Sequence, residues 1–476
     1  MLRTLWLIFV YTAFLSLGAA APFVFTLGYV WVDTFQPQFI SYFFLNQLPV
    51  ALIMGVAAFG SYILMDHRSP PKLTLASVLQ LTMAVWVSMT LIWAVAPDAA
   101  WGKWNVVIKT LAFSAFIPLV IRSRAQIEAF TQTYVLSLAA NFVPFGLKVL
   151  ISGGGYGVNL GLEGGNSGLA EGGLLSSSCL MAVPLAVFLA GHSRLLPDWR
   201  PFRLGYWALA GLAVVTAIGT YERSALIGLI VLAGYTWLRT PRKVLVGFVI
   251  VVVGALILYK MQDSWFNRVS TIGSYQTEDS AFVRLLVWKW TLGFVAQNPL
   301  GGGFMAYVID HVEVPARGAT AGYVQFGRAF HSIYFEVLGE HGFIGIGIFL
   351  LLSVSVFFKL RGIAKQARRY PELAWIVSLA DALQVGLAVF MTSGAFVGIA
   401  FQPMFWYFIS LSVSLDAYVA RVIPHDNFRV AWGRTVQSES IEPVAEAPVA
   451  ARPAVAGWRD QRSPVPQPVW RQARRP

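Results

Sequence analysis

The chain has 476 residues, of which 57% are hydrophobic and 12% are charged, and its formal net charge is +12. About 25% of the residues in a soluble domain are charged, so this composition excludes a water-soluble fold and indicates many membrane-spanning helices. Nucleic-acid binding is not indicated, because the basic residues lie in short clusters between apolar runs and in the C-terminal tail. The single cysteine, Cys179, lies in an apolar run, which excludes a disulfide framework and a thiolate metal site.

The first predicted element is a span over residues 5–30, with the basic residue Arg3 before it. The small residues at 18–21 resemble a signal-peptidase site. Apolar sequence continues as far as Val32 and many further spans follow, so a removable signal would be redundant. We therefore predict that this span is retained.

Twelve apolar segments are long enough to cross a bilayer of about 30 Å. They lie at residues 5–30, 41–65, 73–96, 105–121, 127–150, 173–191, 204–220, 223–238, 244–260, 333–358, 374–395 and 401–420. Clusters of Lys and Arg follow the even-numbered spans, and four of the other connections together contain one basic residue, Lys103. Because basic connections stay in the cytoplasm, both termini are predicted to be cytoplasmic.

The longest connection, residues 261–330, is predicted to be a large periplasmic loop between spans 1–9 (residues 1–260) and spans 10–12 (residues 331–420). Apolar residues recur every three or four positions over 280–297, which predicts a helix lying along the membrane surface. Asn298-Pro299 ends this helix, and Gly301 to Gly303 follow. The three glycines are interpreted as a plain turn, and the alternative is a phosphate cradle.

Basic residues mark the predicted outer side of the membrane. Arg284 and Arg328 lie in the loop, and Arg223 follows a tight outer turn. Lys109 is predicted about one turn inside the outer end of its span. Ionisable groups at such places are expensive unless they have a partner or a ligand.

The most specific stretch is residues 331–345, where a polar cluster opens an apolar helix. His331 is predicted in the first turn, with Tyr334 on the same face, and Glu336 and Glu340 are predicted to pair on another face. Arg328 precedes the histidine by about one turn, so we assign His331 a functional role rather than a structural one.

Beyond residue 420 the sequence becomes rich in Pro, Ala, Arg and Glu. Such a segment cannot bury enough apolar surface to fold, so residues 421–476 are predicted to be a disordered cytoplasmic tail.

These residues suit one kind of chemistry. The outer face of a membrane lacks nucleotide sugars, so synthesis there requires a donor carried by lipid, such as a lipid diphosphate. Arginine binds the departing diphosphate with two hydrogen bonds, and histidine orients or deprotonates an attacking hydroxyl. The loop has no metal-binding motif, and no convincing pair of outward-facing carboxylates indicates glycoside hydrolysis.

The stretch His331–Gly345, followed by an apolar span, resembles the signature of the O-antigen ligase and polysaccharide polymerase superfamily. Glu222-Arg223-Ser224, Arg284 with Trp288, and the turn from Asn298 to Phe304 fit the same pattern. The N-terminal third is most similar to the exosortase-associated branch of O-glycosylation ligases.

The resemblance implies a GT-C-like, all-α polytopic protein of a bacterial inner membrane. It implies an inverting, metal-independent glycosyltransferase without a cofactor, which takes a glycan from undecaprenyl diphosphate to a glycan, lipid or protein acceptor. The family's histidine corresponds to His331 and its essential arginines to Arg223 and Arg284. Arg328 is added here from its proximity, and Tyr334, Glu336, Glu340 and Lys109 are predicted to support these groups.

Two alternatives stay open from the sequence. A polymerase would use the same donor chemistry with a second lipid-linked chain as the acceptor. A lipid or glycan transporter also fits many spans, and Asp381 with Gln384 is the one mid-span polar pair that favours it. Against transport, the other ionisable groups gather at one face and no internal repeat is visible.

Overall fold

The computed structural model describes residues 2–37, 48–152, 172–260, 279–314 and 322–423, and these ranges form a helical membrane protein with one small sheet. The α-helices are Leu2–Ala20 (α1), Phe23–Phe35 (α2), Val50–Met65 (α3), Leu75–Met89 (α4), Pro97–Val120 (α5), Arg124–Ser152 (α6), Gly172–His192 (α7), Arg200–Gly219 (α8), Arg223–Arg239 (α9), Lys243–Lys260 (α10), Asp279–Gln297 (α11), Ile333–Ala367 (α12), Ala374–Ser393 (α13) and Pro403–Val422 (α14). Short 3₁₀ turns occupy Thr90–Trp93, Ala306–Ile309, Pro371–Leu373 and Gly394–Phe396.

The sheet has two antiparallel strands, His311–Val314 (β1) and Tyr323–Phe326 (β2), with Val312 opposite Gln325. Eight helical segments of the described ranges are long and apolar enough to cross a membrane, so a polytopic all-α protein is confirmed, although the predicted count of twelve spans is not. Residues 261–278 and 315–321 of the predicted loop, and the tail beyond residue 423, lie outside the described residues.

The core of the bundle is built around α7, whose most apolar stretch is 83% buried. Helices α8, α13 and α9 pack against it, and α14 supplies the fully buried Trp406 and Tyr407. Cys179 is fully buried in α7, which agrees with its interpretation as a small core residue. These central helices support the segments that carry the site described below.

The first predicted span, residues 5–30, is wrong, because the chain forms two helices there that fold back on each other. Trp31 of α2 packs against Trp6, Tyr11 and Phe14 of α1, with ring centroids 5.6–6.1 Å apart. Pro22 lies between the helices and ends the first one, since it has no N–H for a helical hydrogen bond. Apolar periodicity alone did not show this break.

The turn of this hairpin lies next to the basic connection after α3. A cavity of about 560 Å³ is lined by Ala21 and Pro22 together with Asp66, His67 and Arg68. Because α1 and α2 are antiparallel, the start of α1 points away from this connection, so the structure does not support the prediction that Arg3 lies on the same side as the other basic connections.

Cysteine labelling tests this arrangement. In sealed vesicles of one orientation, a membrane-impermeant maleimide is expected to react with Arg3→Cys or with Arg68→Cys, but not with both from the same side. Both positions are exposed, and the native Cys179 is fully buried, so the unsubstituted chain serves as an unlabelled control. Labelling of both variants from one side would contradict the hairpin.

The other basic connections gather at one end of the bundle, which we call the arginine end (residues 66–72, 122–124, 192–203, 239–243, 359–381 and 421). The Arg122 guanidinium donates to the Ser69 carbonyl at 2.8 Å, and the Arg421 guanidinium donates to the Arg122 carbonyl at 3.0 Å. Arg124 donates to the His192 carbonyl at 3.1 Å. These contacts bring together connections that are far apart in the sequence.

The polar pair that favoured transport also belongs to the arginine end. Asp381 forms ion pairs with Arg239 at 2.6 Å and with Arg368 at 3.3 Å. The Gln384 side-chain oxygen accepts hydrogen bonds from Tyr235 and Arg239. Both groups are satisfied within the protein, so this pair no longer supports a transport pathway through the middle of the bundle.

Candidate functional site

Three of the predicted site residues line one small cavity at the end opposite to the arginine end. The cavity has a volume of about 130 Å³, and its lining residues are Val283, Arg284, Val287, Arg328, Ala329 and His331. Two stretches of the chain, residues 283–287 and 328–331, therefore bring together two guanidinium groups and one imidazole. We call this the Arg–His cavity.

Helix α11 forms one wall of the Arg–His cavity and contributes Arg284. The predicted helix is confirmed, but its buried stripe consists of Val283, Val287, Thr291 and Val295, spaced four residues apart, and Leu285 is 43% exposed. The stripe packs on β1 and on Phe330, and Leu286, Trp290 and Phe294 of the predicted apolar face are partly buried beside it. The predicted apolar face is therefore partly buried, and β1 extends the contact to Val283 and Val287, which apolar periodicity did not select.

Trp288, one turn after Arg284, fixes the opposite wall. Its indole N–H donates to the Phe330 carbonyl at 2.8 Å, directly before His331. Its ring stacks on Phe335 with centroids 4.8 Å apart. The segment that carries the histidine is thus attached to the helix that carries the arginine.

His331 lies before helix α12 rather than in its first turn, so that prediction is wrong. Ser332 is the N-cap, with extended backbone angles, and the helix begins at Ile333. His331 itself has a φ of +48°, in the left-handed region that non-glycine residues adopt at a cost of about 1–3 kcal/mol. The reversal of the chain at this residue, which helix periodicity does not predict, directs the imidazole into the cavity.

The surroundings of His331 favour the neutral imidazole. Burial lowers the pKa of His331 to about 4, and the positive charges of Arg284 and Arg328 act in the same direction. At neutral pH the ring therefore has a nitrogen that can accept a proton.

Arg328 is exposed, and the buried side chain of Asp310 holds its backbone. The Asp310 carboxylate is fully buried and accepts a hydrogen bond from the Arg328 N–H at 3.0 Å. Burial raises the pKa of Asp310, and the hydrogen bonds from Arg328 and Gly327 oppose this rise. Asp310, which the sequence analysis did not select, thus fixes the backbone at Arg328.

Arg223 begins helix α9 and is not among the residues that line the Arg–His cavity. Its neighbour Ser224 is buried beside Gly173 and Val397, and Gly398 lies close to the His331 backbone nitrogen. The start of α9 and His331 therefore lie on either side of the segment 397–398. The structure places Arg223 near this region without placing it in the cavity.

Tyr334 and the two glutamates lie behind His331. The Tyr334 hydroxyl donates to the Met391 carbonyl at 2.7 Å and so attaches α12 to α13. Glu336 and Glu340 do not pair with each other alone, because both accept hydrogen bonds from the Lys103 ammonium at 2.8–3.0 Å.

Lys103 was assigned to a short connection because the span was predicted to begin at residue 105. Helix α5 begins at Pro97 instead, so Lys103 lies within it. Proline at the first helical position followed by Asp98 is a helix-start signal that could have placed Lys103 correctly.

Lys109 lies further along α5, is exposed and is not among the residues that line the Arg–His cavity. Its neighbour Thr110 donates to the Asp33 carboxylate at 3.2 Å, and the Tyr407 hydroxyl donates to the same oxygen. The structure thus groups Lys109 with α2 and α14, and does not bring it to the other predicted site residues.

The turn of three glycines is used within the protein. The N–H groups of Gly301, Gly302 and Gly303 donate to the carbonyls of Asn298, Gly339 and Glu340, at 2.8–3.0 Å. These donors are therefore not available to cradle a phosphate, and the interpretation as a turn is the one that fits. Within the described residues, no group of three or more His, Cys, Asp or Glu side chains could hold a metal ion.

Comparison with known families divides the chain into two parts. Residues 208–350 match the family model described as "O-Antigen ligase". Residues 2–194 match a model described as "Family of unknown function (DUF5935)". No curated protein matches the chain. The first match includes Arg223, all the residues of the Arg–His cavity, and both glutamates bound to Lys103, and it supports the O-antigen ligase and polymerase superfamily.

Proposed function

We propose, starting from the O-antigen ligase match of residues 208–350, that the protein is a membrane glycosyltransferase that transfers a glycan from undecaprenyl diphosphate to an acceptor hydroxyl. In this proposal the reaction takes place on the periplasmic face of a bacterial inner membrane, with inversion at the sugar carbon and without a metal ion. The observation that carries the proposal is the Arg–His cavity, where two guanidinium groups face one neutral imidazole.

In the proposed reaction, the acceptor oxygen attacks the anomeric carbon of the glycan from the side opposite to the diphosphate. The new C–O bond forms as the bond from that carbon to the diphosphate oxygen breaks, and the electron pair leaves with the diphosphate. Negative charge develops on this leaving group, and fixed positive groups stabilise it most where they are already in place. Arg284 and Arg328 serve this role in the cavity, and Arg223 supports the same region from α9.

His331 is proposed to accept the proton of the acceptor hydroxyl. An imidazole with a pKa near 4 is a weak base, and before the donor binds it is neutral at neutral pH. A bound diphosphate brings negative charge beside it, and a nearby opposite charge raises the pKa of a histidine. Donor binding thus makes His331 a stronger base at the step that needs one.

Substitution of Arg284 tests the proposal. Purified protein in nanodiscs is given a lipid-diphosphate-linked glycan and an acceptor, and glycan transfer and release of lipid diphosphate are followed together. Arg284→Ala is expected to lower kcat/KM about 100-fold, because loss of one preorganised donor to developing charge costs about 10²–10³ in rate. Arg284→Lys is expected to recover part of this rate, since an ammonium keeps the charge but not the two-pronged geometry.

The matched control is Lys289→Ala on the same helix. Lys289 is exposed and is not among the residues that line the cavity, so its loss is expected to leave the rate unchanged. An Arg284→Ala protein with the rate of the unsubstituted protein would overturn the assignment of the cavity. The acceptor that supports turnover distinguishes a ligase from a polymerase.

A further inference from the structure

Three charged side chains meet behind the Arg–His cavity, within the body of the protein. The Lys103 ammonium lies 2.9 Å from Glu336 Oε1, and 2.8 and 3.0 Å from the two oxygens of Glu340. The side chain of Glu340 is fully buried, that of Glu336 is 9% exposed and that of Lys103 is 21% exposed. We call this group the Lys103 cluster.

We propose that Lys103 is a positioning residue, which holds the chain segments of His331 and Arg328 at a fixed separation. This inference rests on the proposed function of the Arg–His cavity and assigns to that site a residue of α5, outside the O-antigen ligase match. Lys103 acts through its two carboxylate partners.

The first connection runs from Lys103 through Glu336 to His331. The second oxygen of Glu336 accepts a hydrogen bond from the Ala400 N–H at 3.0 Å. A Cβ added to Gly398 would lie 3.5 Å from this oxygen and 3.8 Å from the His331 backbone nitrogen. The glutamate, the segment 398–400 and the histidine backbone are therefore packed together, and Lys103 fixes the glutamate.

The second connection runs from Lys103 through Glu340 to Arg328. Glu340 accepts a hydrogen bond from the Met305 N–H at 2.9 Å, which holds Met305 at a left-handed φ of +61°. The 3₁₀ turn Ala306–Ile309 follows and leads to Asp310, whose carboxylate holds the Arg328 backbone. A displacement of Met305 would therefore also displace Arg328, because the short, hydrogen-bonded segment 306–310 connects them.

The chemistry of the Lys103 cluster favours positioning over donor binding. Three N–H donors of one ammonium meet three carboxylate oxygens, which leaves Lys103 no donor for a ligand. One positive and two negative side chains would also repel a diphosphate. The rings of Phe304 and Phe401 flank the ammonium at 5.4 and 5.6 Å. Buried ion clusters add little stability compared with apolar packing, but their geometry is specific.

The test removes the cluster without leaving an unpaired buried charge. The triple variant Lys103→Met, Glu336→Gln, Glu340→Gln is neutral at all three positions and keeps side chains of similar size. The turnover number per folded molecule is expected to fall about tenfold, whereas KM for the lipid-diphosphate donor changes less than about threefold. Misplacement by about 1 Å can cost up to 10²-fold in rate, which makes a tenfold loss a moderate expectation.

The matched control neutralises another ion pair of helix α12, which carries Glu336 and Glu340. Lys359 at the far end of α12 lies 3.1 Å from Asp416, and the variant Lys359→Met, Asp416→Asn removes both charges. We expect its turnover number and KM to equal those of the unsubstituted protein. A triple variant with the turnover number of the unsubstituted protein would overturn the proposal, even if its melting temperature were lower.

A second measurement does not depend on turnover. Backbone hydrogen exchange of residues 304–310 and 327–332 is expected to be at least tenfold faster in the triple variant than in the Lys359/Asp416 variant. Equal exchange in both variants would overturn the proposal. Its failure is distinguishable from failure of the proposed function, because Arg284→Ala would then still lower kcat/KM about 100-fold. If the proposed function were wrong, Arg284→Ala would have the rate of the unsubstituted protein.

Discussion

Replacement of His331 by alanine is expected to lower the turnover number about 10³-fold while the amount of folded protein stays the same. General base catalysis by a positioned side chain contributes roughly 10²–10⁴ in rate, and His331 is the titratable base that lines the Arg–His cavity. The site also accommodates alanine sterically, because the smaller side chain enlarges a cavity that already exists. The measurement is single-turnover glycan transfer with saturating donor.

His311→Ala is the control for this variant. His311 lies exposed on β1, in the same large loop, and is expected to be replaceable without effect on the rate. If His331→Ala transferred glycan at the rate of the unsubstituted protein, His331 would not be the base, whatever the behaviour of the arginines.

The pH dependence gives this prediction a second component. Because burial lowers the pKa of His331 to about 4, kcat/KM, which reports the free protein, is expected to stay level above about pH 5 and to fall below it. The turnover number kcat reports the donor complex, and its fall at low pH is expected to begin at a higher pH than that of kcat/KM, because bound diphosphate raises the pKa of His331. If kcat and kcat/KM fell at the same pH, this would contradict diphosphate binding beside the histidine.

The same shift has a consequence for stability. An unfolded histidine with the usual pKa of 6.5 binds a proton as the pH falls, but the folded one does not until about pH 4. The free energy of unfolding is therefore expected to be independent of this group above pH 6.5 and to decrease between pH 6.5 and 4.

Gly342→Ala is expected to destabilise the protein by about 2–6 kcal/mol, the largest stability effect of the single substitutions considered. Gly342 interrupts helix α12 with a φ of +66° and a ψ of −165°. A Cβ there would lie 2.6 Å from the Gly301 nitrogen and closer still to the Pro299 carbonyl oxygen. The strain of such a backbone conformation, about 1–3 kcal/mol, adds to the about 1–3 kcal/mol of forced overpacking.

Gly347→Ala is the matched control on the same helix. No heavy atom lies within 4 Å of a Cβ added to Gly347, and alanine favours a helix over glycine by about 1 kcal/mol. The melting temperature is measured in detergent from the loss of the monodisperse peak on heating. It is expected to be much lower for Gly342→Ala and not lower for Gly347→Ala. Equal melting temperatures would show that the turn does not require glycine at position 342.

The sequence predicted well those elements that depend on local apolar pattern. Each of the eleven predicted spans from 41–65 onward overlaps a helix of the described residues. The bounds agree within a few residues, except at the start of α3, the end of α4, the start of α5 and the end of α12. The helix after residue 279 and its end at Asn298 are also confirmed. In each case the pattern and the end signals lie within the element itself.

What the sequence did not predict depends on partners distant in the chain. The fold-back at Pro22 is fixed by Trp31 against three residues of α1, and the buried stripe of α11 is fixed by β1. The link from Lys103 to Glu340 joins residues 237 positions apart. Grouping of the two loop arginines with His331 was expected from their shared side of the membrane, but the backbone reversal that orients the histidine was not.

The break at Gly342 also bears on where a lipid-linked molecule must lie. The segment of α12 after the break, residues 343–367, is about 37 Å long at about 1.5 Å per residue, and so it can traverse a hydrocarbon layer of about 30 Å without the residues before it. The preceding residues, with the imidazole at their start, are then left at headgroup depth. In the proposed reaction, the lipid part of the donor then remains among the acyl chains, and its phosphates and sugar alone enter the protein.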